Sequence, residues 1–98
     1  MNRAKSYDQE LSEKLGDSKF AQAFLIGLME GEDGLTVEDA LRHTIKRMGV
    51  KEFSQSVGVP HSNIQEFLKK KRQPKPETLN QYLKPFRLRV KLVLEKAS

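Results

Sequence analysis

Residues 61–75 gather most of the side chains in this chain that could do recognisable chemistry. His61, Ser62, Gln65 and Glu66 carry hydrogen-bond donors and acceptors at the spacing of one helix face. Lys69, Lys70, Lys71 and Arg72 follow as four consecutive cations, with Lys75 three residues further on. Such an array can read a patterned polar surface with its helix and neutralise a polyanion with its cations. Other chemistries are poorly supplied. The chain has no cysteine, which removes disulfides, thiolate metal sites and cysteine nucleophiles together. Its two histidines, His43 and His61, are too few for a histidine-rich metal site. Glu10 and Glu13 read as solvated charges, His43 with Asp39 is an ordinary helical i,i+4 pair, and no glycine-rich phosphate loop occurs. No enzyme activity, cofactor or metal is expected.

The elements that must position this array are short helices. Ser6 to Leu15 predicts a first helix with Leu11 and Leu15 on one side, ended by Gly16. A second helix over Ser18 to Glu30, capped by Asp17 or Ser18, carries an expected core stripe of Phe20, Ala23, Phe24, Gly27, Leu28 and Met29. The turn Gly31 to Gly34 closes it. Thr36 opens a third helix, close to a capping box although Asp39 stands where Glu or Gln is usual. Val37, Ala40, Leu41, Thr44, Ile45 and Met48 form its apolar stripe, His43 falls outside it, and Gly49 is the stop. Helices over Lys51 to Val57 and His61 to Lys71 come next, then one over Pro76 to Leu83 with proline in its first turn.

After Pro85 the period changes. Phe86, Leu88, Val90, Leu92 and Leu94 alternate with mostly charged residues, the pattern of a half-buried strand over residues 86–95. A lone strand leaves backbone groups unpaired, so the expectation is antiparallel pairing with the same strand of a second copy, with Leu88, Val90, Leu92 and Leu94 in the dimer contact. A helix continuing past Pro85 is the competing reading.

With 98 residues the chain makes one compact domain, read as an acidic helical segment (1–34), a central helical unit (35–85) and a C-terminal strand and tail (86–98). Net charge is +5, unevenly placed: residues 1–34 hold four basic against seven acidic residues, and residues 35–98 fourteen basic against six acidic. The basic part suits a polyanion and the acidic part a basic protein. The longest apolar stretch, Phe24 to Met29, is far shorter than the roughly 20 residues of a membrane span. The amino terminus lacks the apolar centre of a secretory signal, so a cytoplasmic location is expected.

Two helices joined by Gly58-Val59-Pro60 match the recipe of a helix-turn-helix. Phe53, Val57, Val59, Ile64, Phe67 and Leu68 would lock the pair together, and Gly58 would take the sharp reversal. The second helix would lie in a major groove, its first two turns meeting base edges through His61, Ser62, Gln65 and Glu66. Lys69, Lys71, Arg72 and Lys75 would meet phosphates, supplying affinity and register.

These residues resemble the Xre/Cro-type, lambda-repressor-like helix-turn-helix family. Phe53-Ser54, Gly58-Val59, Ile64, Phe67, Arg72, Pro74, Glu77, Thr78 and Leu79 fit its pattern. From Tyr7 to Glu95 the chain is similar to HigA-like addiction-module antidote proteins, through YDQELSEKLGDSKFAQAFLIGLMEG, VEDALRHTIKRMGVKEFSQSVGV and PKPETLNQYLKPFRLRVKL. The resemblance implies an all-α fold and a homodimer that represses its own operon on an inverted-repeat operator in double-stranded DNA. It also implies a basic RelE-type toxin as partner, in keeping with the acidic residues 8–33. The sequence departs from the pattern at Val50, where a phosphate-binding glutamine is common, at Leu68, where glutamate is, and at Lys70, where glycine is. Alternatives are a phage-type or stand-alone repressor without a toxin, and a protein-interaction module that has lost DNA binding.

Overall fold

Helix starts are written by side-chain oxygens that accept the free N–H groups of a first turn. The computed structural model describes residues 6–69, 73–91 and 94–97. Ser6 opens α1 (Tyr7–Lys14) with a full capping box, its hydroxyl accepting from the Gln9 N–H at 3.2 Å while the Gln9 side chain accepts from the Ser6 N–H. Asp17 caps α2 (Ser18–Glu30) and Thr36 caps α3 (Val37–Met48). Gly49 alone separates α3 from α4 (Val50–Val57); then come α5 (His61–Leu68) and α6 (Pro76–Leu83), which runs into a 3-10 turn over Lys84–Phe86. Among the described residues the fold is all-α, and no helix is long and apolar enough to cross a membrane.

α3 is the central strut. The expected stripe is buried at Ala40, Leu41, Thr44, Ile45 and Met48, with Val37 half-buried, and α1, α2 and α4 pack on the helix. Leu11 and Leu15 reach the same core from α1, and the Ser12 hydroxyl donates to the Met48 carbonyl at 2.7 Å, satisfying a C-terminal carbonyl of α3. Gly49 makes the abrupt α3–α4 joint at φ 108°, where a Cβ would run into the Glu52 carboxylate. The far half of the core is aromatic. Phe53 of α4 stacks on Phe86 with centroids 6.0 Å apart and meets Tyr82 of α6 edge-on at 5.8 Å. Tyr82 in turn meets Phe67 of α5 edge-on at 5.1 Å.

Three expectations need correction. The C-terminal segment contains no strand among the described residues. Phe86 closes the 3-10 turn, fully buried, and Arg87 takes a left-handed conformation (φ 57°) that folds the chain back along its own core. The Leu88 N–H donates to the Leu83 carbonyl at 3.3 Å and the Val90 N–H to the Asn80 side-chain oxygen at 2.7 Å. Two donors that a neighbouring strand would have used are thus held within the chain. Leu88 and Val90 are half-buried on their own core, Leu94 is 89% exposed, and Leu92 lies outside the described residues. Period two here records an extended segment laid on a helical core, and pairing across a dimer finds no support.

The α2 stripe is the second correction. Ala21 and Leu25 are its buried residues, with Phe24 and Leu28 partly buried, whereas Phe20, Ala23, Gly27 and Met29 are exposed. This helix is apolar nearly all round, so spacing alone did not set which side faces inward. Third, α5 ends at Leu68 rather than Lys71; Lys69 is its C-cap, and residues 70–72 lie outside the described part.

Phe53→Ala, which empties the centre of the aromatic cluster, is expected to cost about 3–5 kcal/mol in urea unfolding. Asn80→Ala removes one acceptor near the surface; it should cost about 1 kcal/mol and speed hydrogen exchange at the Val90 amide selectively.

Candidate nucleic-acid interface

The turn between α4 and α5 is held from both sides. Gly58 sits in the left-handed region (φ 70°, ψ 30°) and its N–H donates to the Ser54 carbonyl at 2.9 Å. The Ser54 hydroxyl spans the turn to the Val59 carbonyl at 2.6 Å, and the Val59 side chain is buried beneath it. Pro60 then stands as N-cap of α5; its fixed φ favours the extended entry, and its carbonyl accepts from the Asn63 N–H at 3.0 Å. No side chain caps this helix.

α5 divides cleanly by face. Ile64 and Phe67 are buried and Leu68 half-buried, while His61, Ser62, Asn63, Gln65, Glu66 and Lys69 are exposed. The four expected base readers therefore share the solvent side of one short helix. Lys69 stands at its exit, and Lys75, also exposed, is the N-cap of α6. Lys71 and Arg72, the other two expected phosphate contacts, lie outside the described residues. Beyond them the Gln73 side chain donates to Glu38 of α3 at 3.4 Å, joining the loop after α5 to the start of α3. Asn63, exposed beside Ser62, adds a polar group absent from the expected set.

One residue that holds this surface was not foreseen. Arg42, on the apolar side of α3, is only 7% exposed. Its Nε donates to the Phe67 carbonyl at 2.8 Å, its NH1 to the Asp39 carboxylate at 3.1 Å, and its guanidinium lies 4.6 Å from the centre of the Phe67 ring. The cation thus fixes both the backbone and the side chain of α5 at its C-terminal end, where a positive charge complements the helix dipole. Asp39, the departure from the capping-box pattern, supplies the counter-charge. The signal available in the sequence was an Asp–Arg pair three residues apart with the arginine between Leu41 and Ile45.

Tyr82, packed edge-on to Phe67, has its phenol pushed above the ordinary value of 10.0 by desolvation. Among the described residues no group of three His, Asp or Glu side chains could hold a metal ion. No protein family, curated protein or solved structure matches the chain. The arrangement can present hydrogen-bonding groups to a groove and cations to an anionic backbone.

Arg42→Met should destabilise the protein by about 1.5–3 kcal/mol, since it removes a charge-assisted bond to a buried carbonyl. Arg42→Lys should recover little of that, because an ammonium lacks the planar fork. For Tyr82 the folded value is raised, so its contribution is complete below pH 10 and is lost as pH rises through the folded value. Alkaline titration of stability should show that loss, and Tyr82→Phe should flatten it.

Proposed function

We propose that this protein is a sequence-specific DNA-binding regulator that lays α5 in the major groove of double-stranded DNA, as in lambda-repressor-like proteins. The observation that carries the reading is the division of α5. Its apolar residues are spent on the core, its polar ones face out together, and the left-handed turn at Gly58 sets it against α4. In this reading Ser62 and Gln65 read base edges, His61 adds a contact at the first turn, and Glu66 accepts from a cytosine N4. Lys69 and Lys75, with Lys71 and Arg72, hold the phosphates and fix register. An inverted-repeat operator would take two copies related by a two-fold axis.

A specific observation favours a narrower role as the antitoxin of a toxin–antitoxin pair. All seven acidic residues of the first 34, namely Asp8, Glu10, Glu13, Asp17, Glu30, Glu32 and Asp33, are exposed. Such a surface suits a basic partner such as a RelE-type toxin. Co-purification with the product of the neighbouring gene tests that role; a neighbour that neither binds nor is basic removes it.

Titration with the DNA upstream of its own gene should give binding that weakens steeply with salt. Four cations per copy, doubled by two-fold symmetry, predict a log–log slope of about −7 and a loss of roughly 10⁴ in affinity between 50 and 200 mM salt. Lys69→Ala should weaken all sequences alike and shallow the slope by about 1 per copy, while Ser62→Ala should change which base is preferred. Absence of binding at low salt overturns the proposal.

A further inference from the structure

The tail carries a row of charge outside the α5 surface. Arg87, Arg89 and Lys91 are exposed, while Leu88 and Val90 between them are half-buried against the core. Bonds from the Leu88 N–H to the Leu83 carbonyl and from the Val90 N–H to the Asn80 side chain fix which side faces out. Along extended backbone Arg89 and Lys91 stand about 6.7 Å apart, close to the separation of successive phosphates on one nucleic-acid strand. Among the described residues none of the three cations is in an ion pair, and Glu30 is the one carboxylate bordering the groove that Arg89 and Lys91 share with α2. Arg87 adds a second signal. It is the non-glycine residue held at positive φ (57°), a conformation that glycine or asparagine takes more readily. An arginine kept there against backbone preference points to a use for its side chain.

The row ends beside the cations proposed to hold phosphates. Its hydrogen bonds step from Leu83 back to Asn80, so the tail runs antiparallel to α6 toward Lys75, the N-cap of that helix. Asn80 lies about 7.5 Å along the helix from Lys75, and Lys91 takes the next step past Val90 in that direction. A separate contact agrees. Lys91 borders the same groove as Val37, and the adjacent Glu38 accepts from Gln73 of the loop after α5. The start of α3 thus meets both the end of the row and the loop that leads to Lys75.

We propose that Arg87, Arg89 and Lys91 grip the phosphate backbone of DNA next to the stretch whose bases α5 meets, as a second contact made by the tail. The inference rests on the DNA-binding reading and extends it to a segment with no part in the helix-turn-helix. Phosphate contacts of this kind add affinity and register without choosing bases. Cations already set in place by the core lose little freedom on binding, which raises what each one contributes.

Salt titration of binding to the DNA upstream of the gene tests this. Three further cations per copy make the log–log slope steeper by about 2.7 per copy than the α5 set alone supplies. Arg89→Gln with Lys91→Gln leaves the left-handed corner intact, and thermal unfolding should be unchanged because both side chains are exposed. The pair should make the slope shallower by about 1.8 per copy, and adding Arg87→Gln should bring the change to about 2.7, with base preference unaltered. Lys14→Gln with Lys19→Gln removes the same charge from exposed positions on α1 and α2 and should move the slope by less than about 0.5. Specific binding whose slope both tail variants leave in place overturns the proposal and keeps the α5 reading. So does a control pair that moves the slope as much as the tail pair. Binding that keeps the tail effect without base preference removes base reading by α5 and keeps the tail contact; no binding at low salt removes both.

Discussion

A buried arginine needs partners for its charge, and the surroundings of Arg42 are arranged to provide them. Its guanidinium meets the Asp39 carboxylate, the Phe67 carbonyl and the Phe67 ring at once. A planar group with a fixed fork of donors suits three partners of different shape, which a lysine does not. Because Asp39 and Arg42 belong to α3 while Phe67 belongs to α5, the contact ties the central strut of the core to the helix that faces outward. The eight-residue α5 would be marginal as an isolated helix. Its alignment rests on Ile64 and Phe67 in the core, the Gly58 turn at its start and Arg42 at its end.

The aromatic cluster extends the same logic through the rest of the molecule. Phe67, Tyr82, Phe53 and Phe86 run in edge-on and stacked contacts from α5 through α6 and α4 to the 3-10 turn. Each ring comes from a separate element, so a lean apolar composition still yields a continuous core. Just past Phe86, the Leu88 and Val90 N–H groups bond to Leu83 and Asn80 of α6, and both side chains pack against the helical core.

How much could be read from residues alone depended on whether a local signal had one solution. The α3 stripe and the two short helices around Gly58 were legible, since their apolar positions recur at a spacing only one face can satisfy. The Thr36 cap was legible from its hydroxyl ahead of the stripe, whereas at α2 the sequence left Asp17 and Ser18 open and Asp17 is the cap. The α2 face was not, because apolar residues on every side leave its rotation to be set by neighbours. Nor was the tail. Alternation at Leu88 and Val90 reports that one side is covered, and a helical core covers it as well as a sheet does. Arg42 depended on a carbonyl 25 residues away, which no local pattern announces. Of the candidate site, the outward set on α5 was readable, but the support that aims it was not.

The single-residue joint at Gly49 limits how the molecule can adapt to anything it meets. A longer loop would let α4 and α5 swivel on their own. Here the Gly49 N–H is bonded to the Ile45 carbonyl and the Gly49 carbonyl to the Phe53 N–H, so the last turn of one helix is stitched to the first turn of the next. Any change of approach angle must therefore be made by tilting α3, α4 and α5 as one block, and the fit of a target is set by its own shape more than by accommodation on the protein's side.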